Sequence, residues 1–305
     1  MRSFPPLAAG ARVALVAPAG PLRIPADLER AEANARELGF TPVVAPHARD
    51  REAYFAGSDA NRLADFNAAL TDGSIAAVWC LRGGYGAMRL LPQIDFHALR
   101  TNPKPVIGYS DITALHAAVN RCVELESVHG PTARSRLTSF SKRSLKALLY
   151  DEGEPAGQAP DAVTLVRGRA RGRLAGGNLA LVAALHGTTY QVDYAGAILV
   201  LEDVNEAAYR IERMLLTLRL SGALQQCAGI VFGSFTNTGE TDDEALGGSR
   251  TVREVLTECA LAVNVPTICG APLGHIDDQW SLPLGRMAEL DADSRTLTVN
   301  RATRA

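Results

Sequence analysis

Along the first 131 residues, short unbroken apolar runs alternate with segments whose apolar positions recur every three or four residues. The runs at 12–17, 41–45, 75–81, 106–107 and 125–128 have the length and all-round apolarity of buried parallel strands. The segments 27–38, 58–70 and 111–121 carry helical spacing, with a glycine stop at Gly39 and Leu63, Phe66 and Leu70 on one face of the second. Strands that alternate with helices imply right-handed βαβ units and a parallel sheet covered on both faces. The pattern then breaks. Residues 132–161 are rich in charge, from Arg134 and Arg136 to Glu152 and Glu154, and read as a surface linker. The alternation resumes with strands at 163–174, 196–201, 228–233 and 265–269. Helices lie between Asn178 and His186, at 206–220 and at 251–260, and a polar loop spans 236–248. A closing hairpin is expected from 287–290 and 296–299. The expectation is an α/β protein: a flavodoxin-like three-layer parallel-sheet domain at 1–131, a linker at 132–161, and a smaller α/β domain at 162–305.

Composition narrows the class. The chain has 305 residues, of which 47% are apolar, enough to bury a sizeable core. Its formal net charge of −2 gives no bulk electrostatic footprint for nucleic acid or for an anionic membrane. No apolar run reaches the ~20 residues of a membrane span, and the N-terminus has no apolar signal region. Five cysteines are scattered, with no Cys-x-x-Cys pair, which predicts reduced thiols in a cytoplasmic protein and neither a disulfide nor a zinc framework. The arginines of 167–173 alternate, as one exposed face of a strand would have them.

Three stretches carry chemistry. In Gly108-Tyr109-Ser110-Asp111, a serine stands where a strand ends and a helix begins. That is the place of a nucleophile elbow, although the second glycine of the usual motif is missing; a plain helix cap is the competing reading. Arg82-Gly83-Gly84-Tyr85-Gly86 follows another strand. It is neither a P-loop nor a dinucleotide fingerprint, but its N–H groups and that of Asp111 can serve an oxyanion, and Arg82 can hold an anionic group such as a terminal carboxylate. A serine needs a base, and a base works better with an acid to orient it. Of six histidines, His129 and His275 follow strands beside Gly or Pro, and Glu202, at the end of the most apolar strand of the second half, is the best acid. Residues 276–280 form a loop that could close over a pocket. No metal-ligand spacing is found.

Taken together these stretches resemble the LD-carboxypeptidase family of serine peptidases, which includes muramoyltetrapeptide carboxypeptidase. Four blocks carry the resemblance in the family's order: Leu81-Arg82-Gly83-Gly84-Tyr85-Gly86, Ile107-Gly108-Tyr109-Ser110-Asp111, Leu201-Glu202-Asp203 and Gly270-Ala271-Pro272-Leu273-Gly274-His275. Lesser matches are Val16–Gly20, His129-Gly130-Pro131 and Gly176-Gly177-Asn178. The resemblance implies Ser110 as nucleophile, His275 as general base and Glu202 as the acid that orients it. It also implies backbone N–H groups of Asp111 and Gly84 as the oxyanion hole. Arg82, Gly83 and Tyr85 are then expected to touch substrate. The expected reaction is release of the terminal D-alanine from an L,D-linked murein tetrapeptide or muropeptide. It needs no cofactor and no metal, and belongs to cytoplasmic peptidoglycan recycling by a homodimer, with the site where the two domains meet.

A related class within the same family cleaves a peptide–nucleotide antibiotic of the microcin C kind and confers self-immunity. That activity calls for aromatic residues to stack a nucleobase, and Trp280 is the one candidate beside the site. A non-catalytic flavodoxin-like binding module accounts for the glycine loops but not for a serine, a glutamate and a histidine at three strand ends.

Overall fold

The structure, a computed structural model, describes residues 1–238 and 250–302. The part of the polar loop expected at 236–248 that begins at residue 239 lies outside the described residues. The chain divides into two compact units.

The first unit is built on a six-stranded sheet. Its strands from the N-terminal half are β1 (Arg12–Val16), β2 (Thr41–Val44), β3 (Ile75–Cys80), β4 (Val106–Gly108) and β5 (Ser127–His129). The order β5-β4-β3-β1-β2 is parallel throughout, as the alternation of apolar runs with helical spacing requires. Helices α1 (Ala26–Glu37), α2 (Asp59–Thr71), α3 (Ala87–Leu90), α4 (Phe96–Thr101) and α5 (Thr113–Val123) make the crossovers. The core centres on Trp79, which is fully buried among Leu15, Leu28, Ile107 and Val128. Its indole N–H donates to the Pro131 carbonyl at 2.8 Å, so the ring is buried without an orphaned donor.

The boundaries differ from those expected. The first unit runs to Pro155 and also takes Asp277–Gly285. Within the stretch read as a linker, α6 (Ser139–Leu149) opens on a Thr138 cap and buries Leu145, Leu148 and Leu149 in the same core as Leu28 and Leu38. Its Arg143 and Lys146 face outward, and that charged half of the pattern reads as a solvated linker. Residues 276–280 are not a free loop either. Ser141 Oγ donates to the Asp277 carbonyl at 2.6 Å and accepts from Gln279 N–H at 2.9 Å. Then β6 (Leu282–Leu284) pairs antiparallel with β5 and completes the sheet. A three-residue strand pinned by a partner 150 residues earlier leaves no local signal.

The second unit carries a seven-stranded mixed sheet. The segment expected as one strand at 163–174 is two, β7 (Val163–Val166) and β8 (Arg169–Asn178), divided at Gly168, whose φ is +119°. They are not neighbours in the sheet. Its other strands are β9 (Ile198–Val204), β10 (Gly229–Thr236), β11 (Thr267–Cys269), β12 (Met287–Asp291) and β13 (Thr296–Val299). β8, β9, β10 and β11 are parallel. β12 pairs antiparallel with β8 and forms the expected hairpin with β13, and β7 pairs antiparallel with β11. Helices α7 (Leu179–Leu185), α8 (Ala208–Leu220) and α9 (Val252–Val263) belong to this unit. The alternating arginines of β8 lie on an exposed face, where Arg169 and Arg171 meet Asp291 and Glu289 of β12. Among the described residues no helix is long and apolar enough to cross a membrane.

One buried histidine gives the first unit a pH signature. His116 on α5 is fully enclosed, and its Nε2–H donates to the Gly108 carbonyl at 2.8 Å. Burial pulls its pKa down from 6.5 to about 4, against the smaller opposite effect of that hydrogen bond. Between these two values the unfolded chain binds the proton and the folded chain does not, so acidification through this window favours unfolding by about 1.4 kcal/mol per pH unit. His116→Gln is expected to flatten the decline of melting temperature between pH 6.5 and 4. Superimposable profiles for the two proteins would show that another group sets the decline.

Candidate active site

Strand β4 ends at Gly108, Tyr109 is fully extended, and Ser110 turns into the left-handed region with φ +65°. A β-carbon makes that conformation costly, by roughly 1–2 kcal/mol, and serines rarely hold it without structural compulsion. One 3-10 turn, Ser110–Ile112, then leads into α5. The Ser110 side chain caps neither the turn nor the helix, so the capping alternative does not hold. The strand–turn–helix path and strained serine are those of a nucleophile elbow despite the missing second glycine.

The loop after β3 is fitted to this serine. A β-carbon on Gly83 would lie 2.8 Å from Ser110 Cβ, 3.0 Å from its Oγ and 3.2 Å from Asp111 N. Only a residue without a side chain leaves Ser110 that space. On the other side the loop rests on the backbone after β1. Gly20 N–H donates to the Gly83 carbonyl at 2.9 Å, and a β-carbon on Gly84 would lie 3.0 Å from Gly20 Cα. The buried Asp111 carboxylate accepts the Ala87 N–H at 2.8 Å and so ties the start of α3 to the elbow. Burial raises the Asp111 pKa, opposed by that hydrogen bond and by Arg62. Arg62, itself buried, donates to the Pro18 carbonyl at 2.5 Å and to Gly86 at 3.1 Å, locking the two loops together. Nothing in the sequence singled out Arg62. Tyr85 is exposed and stands edge-on to Tyr54, with ring centres 5.5 Å apart. Arg82 is half-buried, with Nη1 donating to Pro21 O at 2.5 Å.

The acid and the imidazole meet in the second unit. Glu202 is fully buried, and its Oε2 accepts from His275 Nδ1 at 2.8 Å. Glu202 does not end its strand as expected, since β9 continues to Val204. It sits where the pairing with β10 slips, Leu201 opposite Phe232 but Asp203 opposite Phe235. The extra residue bends β10 and opens room for the loop that carries His275. Ser234 N–H donates to the Leu273 carbonyl at 2.9 Å, and Leu273 fills the space that a β-carbon on Gly233 would take. Gly274, at φ +112°, has no room for a side chain: a β-carbon would lie 2.9 Å from both Glu202 Cβ and Oε2. With Nδ1 engaged by the carboxylate, Nε2 carries the basic lone pair. The neighbouring Asp203 had no role in the sequence reading. It accepts from Asn178 Nδ2, Ala180 N–H and Val204 N–H at 2.8–2.9 Å. Burial raises its pKa to about 6, and the Glu202 charge adds to this, while its three donors oppose it.

The remaining candidates separate clearly. His129 is buried at the end of β5, its ring 6.2 Å from that of Tyr109. The five cysteines are free thiols; burial raises the pKa of each, which makes them poor nucleophiles. Trp280 is 3% exposed and offers no face for stacking a base. Among the described residues no cluster of three metal-ligating side chains occurs.

An elbow serine and a buried carboxylate–imidazole pair are the working parts of a serine hydrolase. The chain belongs to the LD-carboxypeptidase family: the model of that family's N-terminal domain matches residues 13–130 and that of its C-terminal domain residues 171–290. A Streptomyces coelicolor protein that carries a carboxypeptidase name is 40% identical, covering 97% of this chain and 95% of its own. The murein tetrapeptide carboxypeptidase of Pseudomonas aeruginosa is 35% identical, covering 92% of this chain and 94% of its own. The microcin C7 self-immunity protein MccF of Escherichia coli is 26% identical, covering 86% of this chain and 84% of its own. A solved structure of MccF matches with a TM-score of 0.86 at 22% identity, over 98% of this chain and 99% of that one, a likeness of fold alone.

Since Gly274 leaves Glu202 its place, Gly274→Ala is expected to displace the acid or the imidazole by a few tenths of an ångström or more. A misplacement of about 1 Å can lower turnover by about 10²-fold, so a measurable fall in kcat of up to that size is expected. Steady-state kinetics on the folded variant, checked by circular dichroism, measures this, and unchanged kcat would show that the pair tolerates the shift.

Proposed function

We propose that this protein is a serine LD-carboxypeptidase that releases the terminal D-alanine from murein tetrapeptides. The observation that carries the reading is the buried Glu202 carboxylate held against His275 Nδ1 at 2.8 Å. The strained Ser110 and the relative that acts on murein tetrapeptide support it. Ser110 attacks the carbonyl of the residue with an L-centre that precedes D-alanine. His275 Nε2 takes the serine proton and passes it to the leaving amine, while Glu202 holds the ring in the required tautomer and offsets its developing charge. The N–H groups of Asp111 and Gly84 bind the oxyanion, and water then resolves the acyl-enzyme by the same route in reverse. Tyr85 and Gly83 border the bound peptide. The setting is cytoplasmic peptidoglycan recycling, with the enzyme as a homodimer. The buried Trp280 favours this reading over cleavage of a peptide–nucleotide conjugate.

The deciding experiment measures D-alanine release from murein tetrapeptide alongside hydrolysis of an aminoacyl sulfamoyl adenosine. The tetrapeptide is expected to be the better substrate, and a clear preference for the nucleotide conjugate would overturn the assignment. Ser110→Ala and His275→Ala are each expected to lower kcat by at least about 10³-fold, and the double variant is expected to be little worse than either. Glu202→Gln is expected to retain more activity than these. A serine-reactive fluorophosphonate should label Ser110, and the absence of an adduct would support a binding module instead.

A further inference from the structure

Strand β4 and helix α5 are joined a second time, behind the elbow. His116 lies in α5 four residues after Ile112, on the same face of the helix. Ile112 packs on the strand end: a β-carbon on Gly108 would lie 3.0 Å from both its Cγ1 and its Cγ2. His116 is fully buried and reaches the same glycine, its Nε2 2.8 Å from the Gly108 carbonyl oxygen. A carbonyl only accepts, so Nε2 carries the proton and Nδ1 the lone pair. The strand end, Tyr109, Ser110 and the first turns of the helix are thus closed into a ring by one side chain.

Stability alone does not account for an imidazole here. The Gly108 carbonyl also accepts the N–H of Gly130, just after β5, at 3.1 Å, so it is not orphaned without His116. His116 Nδ1, by contrast, is buried with no hydrogen-bond partner among the described residues. A buried nitrogen left in that state costs about 1–3 kcal/mol, which an apolar side chain at the same place avoids. Neighbouring buried residues of α5, Leu115 and Val119, are of that apolar kind. Burial keeps the His116 ring uncharged at neutral pH. What the imidazole adds is direction: a second donor fixes where the Gly108 carbonyl points, and with it the chain that follows. Two residues on, Ser110 sits at φ +65°, a conformation that persists only where its surroundings over-determine it. We infer that His116 is a positioning residue for the nucleophile: its Nε2–H holds the Gly108 carbonyl and so keeps Ser110 in its left-handed turn. The inference rests on Ser110 being the nucleophile, as in the carboxypeptidase reading above.

The test compares His116→Leu, which removes the donor, with His116→Gln, whose amide N–H can stand in for Nε2–H. On murein tetrapeptide, His116→Leu is expected to lower kcat by about 10–100-fold while KM stays within about threefold of the wild type. Its rate of labelling at Ser110 by a fluorophosphonate is expected to fall by a similar factor. His116→Gln should restore both rates to within a few-fold. Melting curves establish that each variant is folded at the assay temperature, and His116→Phe replaces the leucine variant should that one not fold. A folded donor-less variant with undiminished kcat and labelling overturns the inference, however far its melting temperature falls. A loss that His116→Gln leaves unrestored overturns it too, since the shape of the ring would then matter and not its hydrogen bond. A crystal structure of the donor-less variant separates this inference from the reaction itself. Displacement of Ser110 Oγ by about 0.5 Å or more, the tolerance of a preorganised site, supports the brace even where no D-alanine is released. A Ser110 that keeps its place and its left-handed turn overturns the brace even where release by the wild-type protein is fast.

Discussion

Contacts closer than a β-carbon allows hold the candidate serine in one unit and the carboxylate–imidazole pair in the other in place. Gly83 lets the backbone come within reach of Ser110, and Gly274 lets a buried glutamate lie against the chain that carries His275. In each case the candidate residue is positioned by one that has no side chain. Such contacts are rigid because they join backbone to backbone or backbone to Cβ, where no rotamer can give way. Once they are fixed, much of the surrounding structure follows: Gly20 beneath Gly84, Arg62 bridging Pro18 and Gly86, and the slip in β10 that accommodates Leu273.

The two units solve a similar problem differently. In the first, strain is concentrated in one residue. Ser110 occupies the left-handed region, and Asp111 offsets the cost locally by tying α3 to the elbow. In the second, the irregularity is in the sheet itself, where the extra residue of β10 re-aims what lies opposite Glu202. The Glu202 carboxylate is fully enclosed, so its hydrogen bond to His275 Nδ1 is an electrostatic necessity as well as an orienting device. Asp203 alternates to the other face of β9 and joins that strand to the start of α7 through Asn178 and Ala180, stiffening the strand that bears the acid.

Arginine has two distinct uses in the first unit. Arg62 is consumed by the fold, its guanidinium spent on carbonyls and on Asp59. Arg82, twenty residues on, is anchored by a single carbonyl and otherwise keeps its donors. The difference lies in their surroundings and is invisible in residue type. This is why the chemistry of the loop is read from the partners of each guanidinium and not from the count of arginines.

The sequence by itself determined the parallel α/β core of the first unit, because apolar runs and helical spacing are local and each strand is buried on both faces. It also marked the candidates for chemistry, since a serine between a strand and a helix, and a histidine after Gly274, are written in consecutive positions. The family relationship was legible for the same reason. Only the tertiary structure decided what depends on distant partners. The charged stretch 132–161 contributes α6 to the core, because Leu145, Leu148 and Leu149 find the helix α1 side of the sheet. The short strand β6 joins the first sheet through β5, an association set by hydrogen bonds across more than 150 residues. The pairing of Glu202 with His275, 73 residues apart, needed the β10 slip and the bare Gly274. Local pattern encodes how a segment wishes to be buried; which neighbour buries it, and which acid meets which base, is fixed by packing that no window of sequence contains.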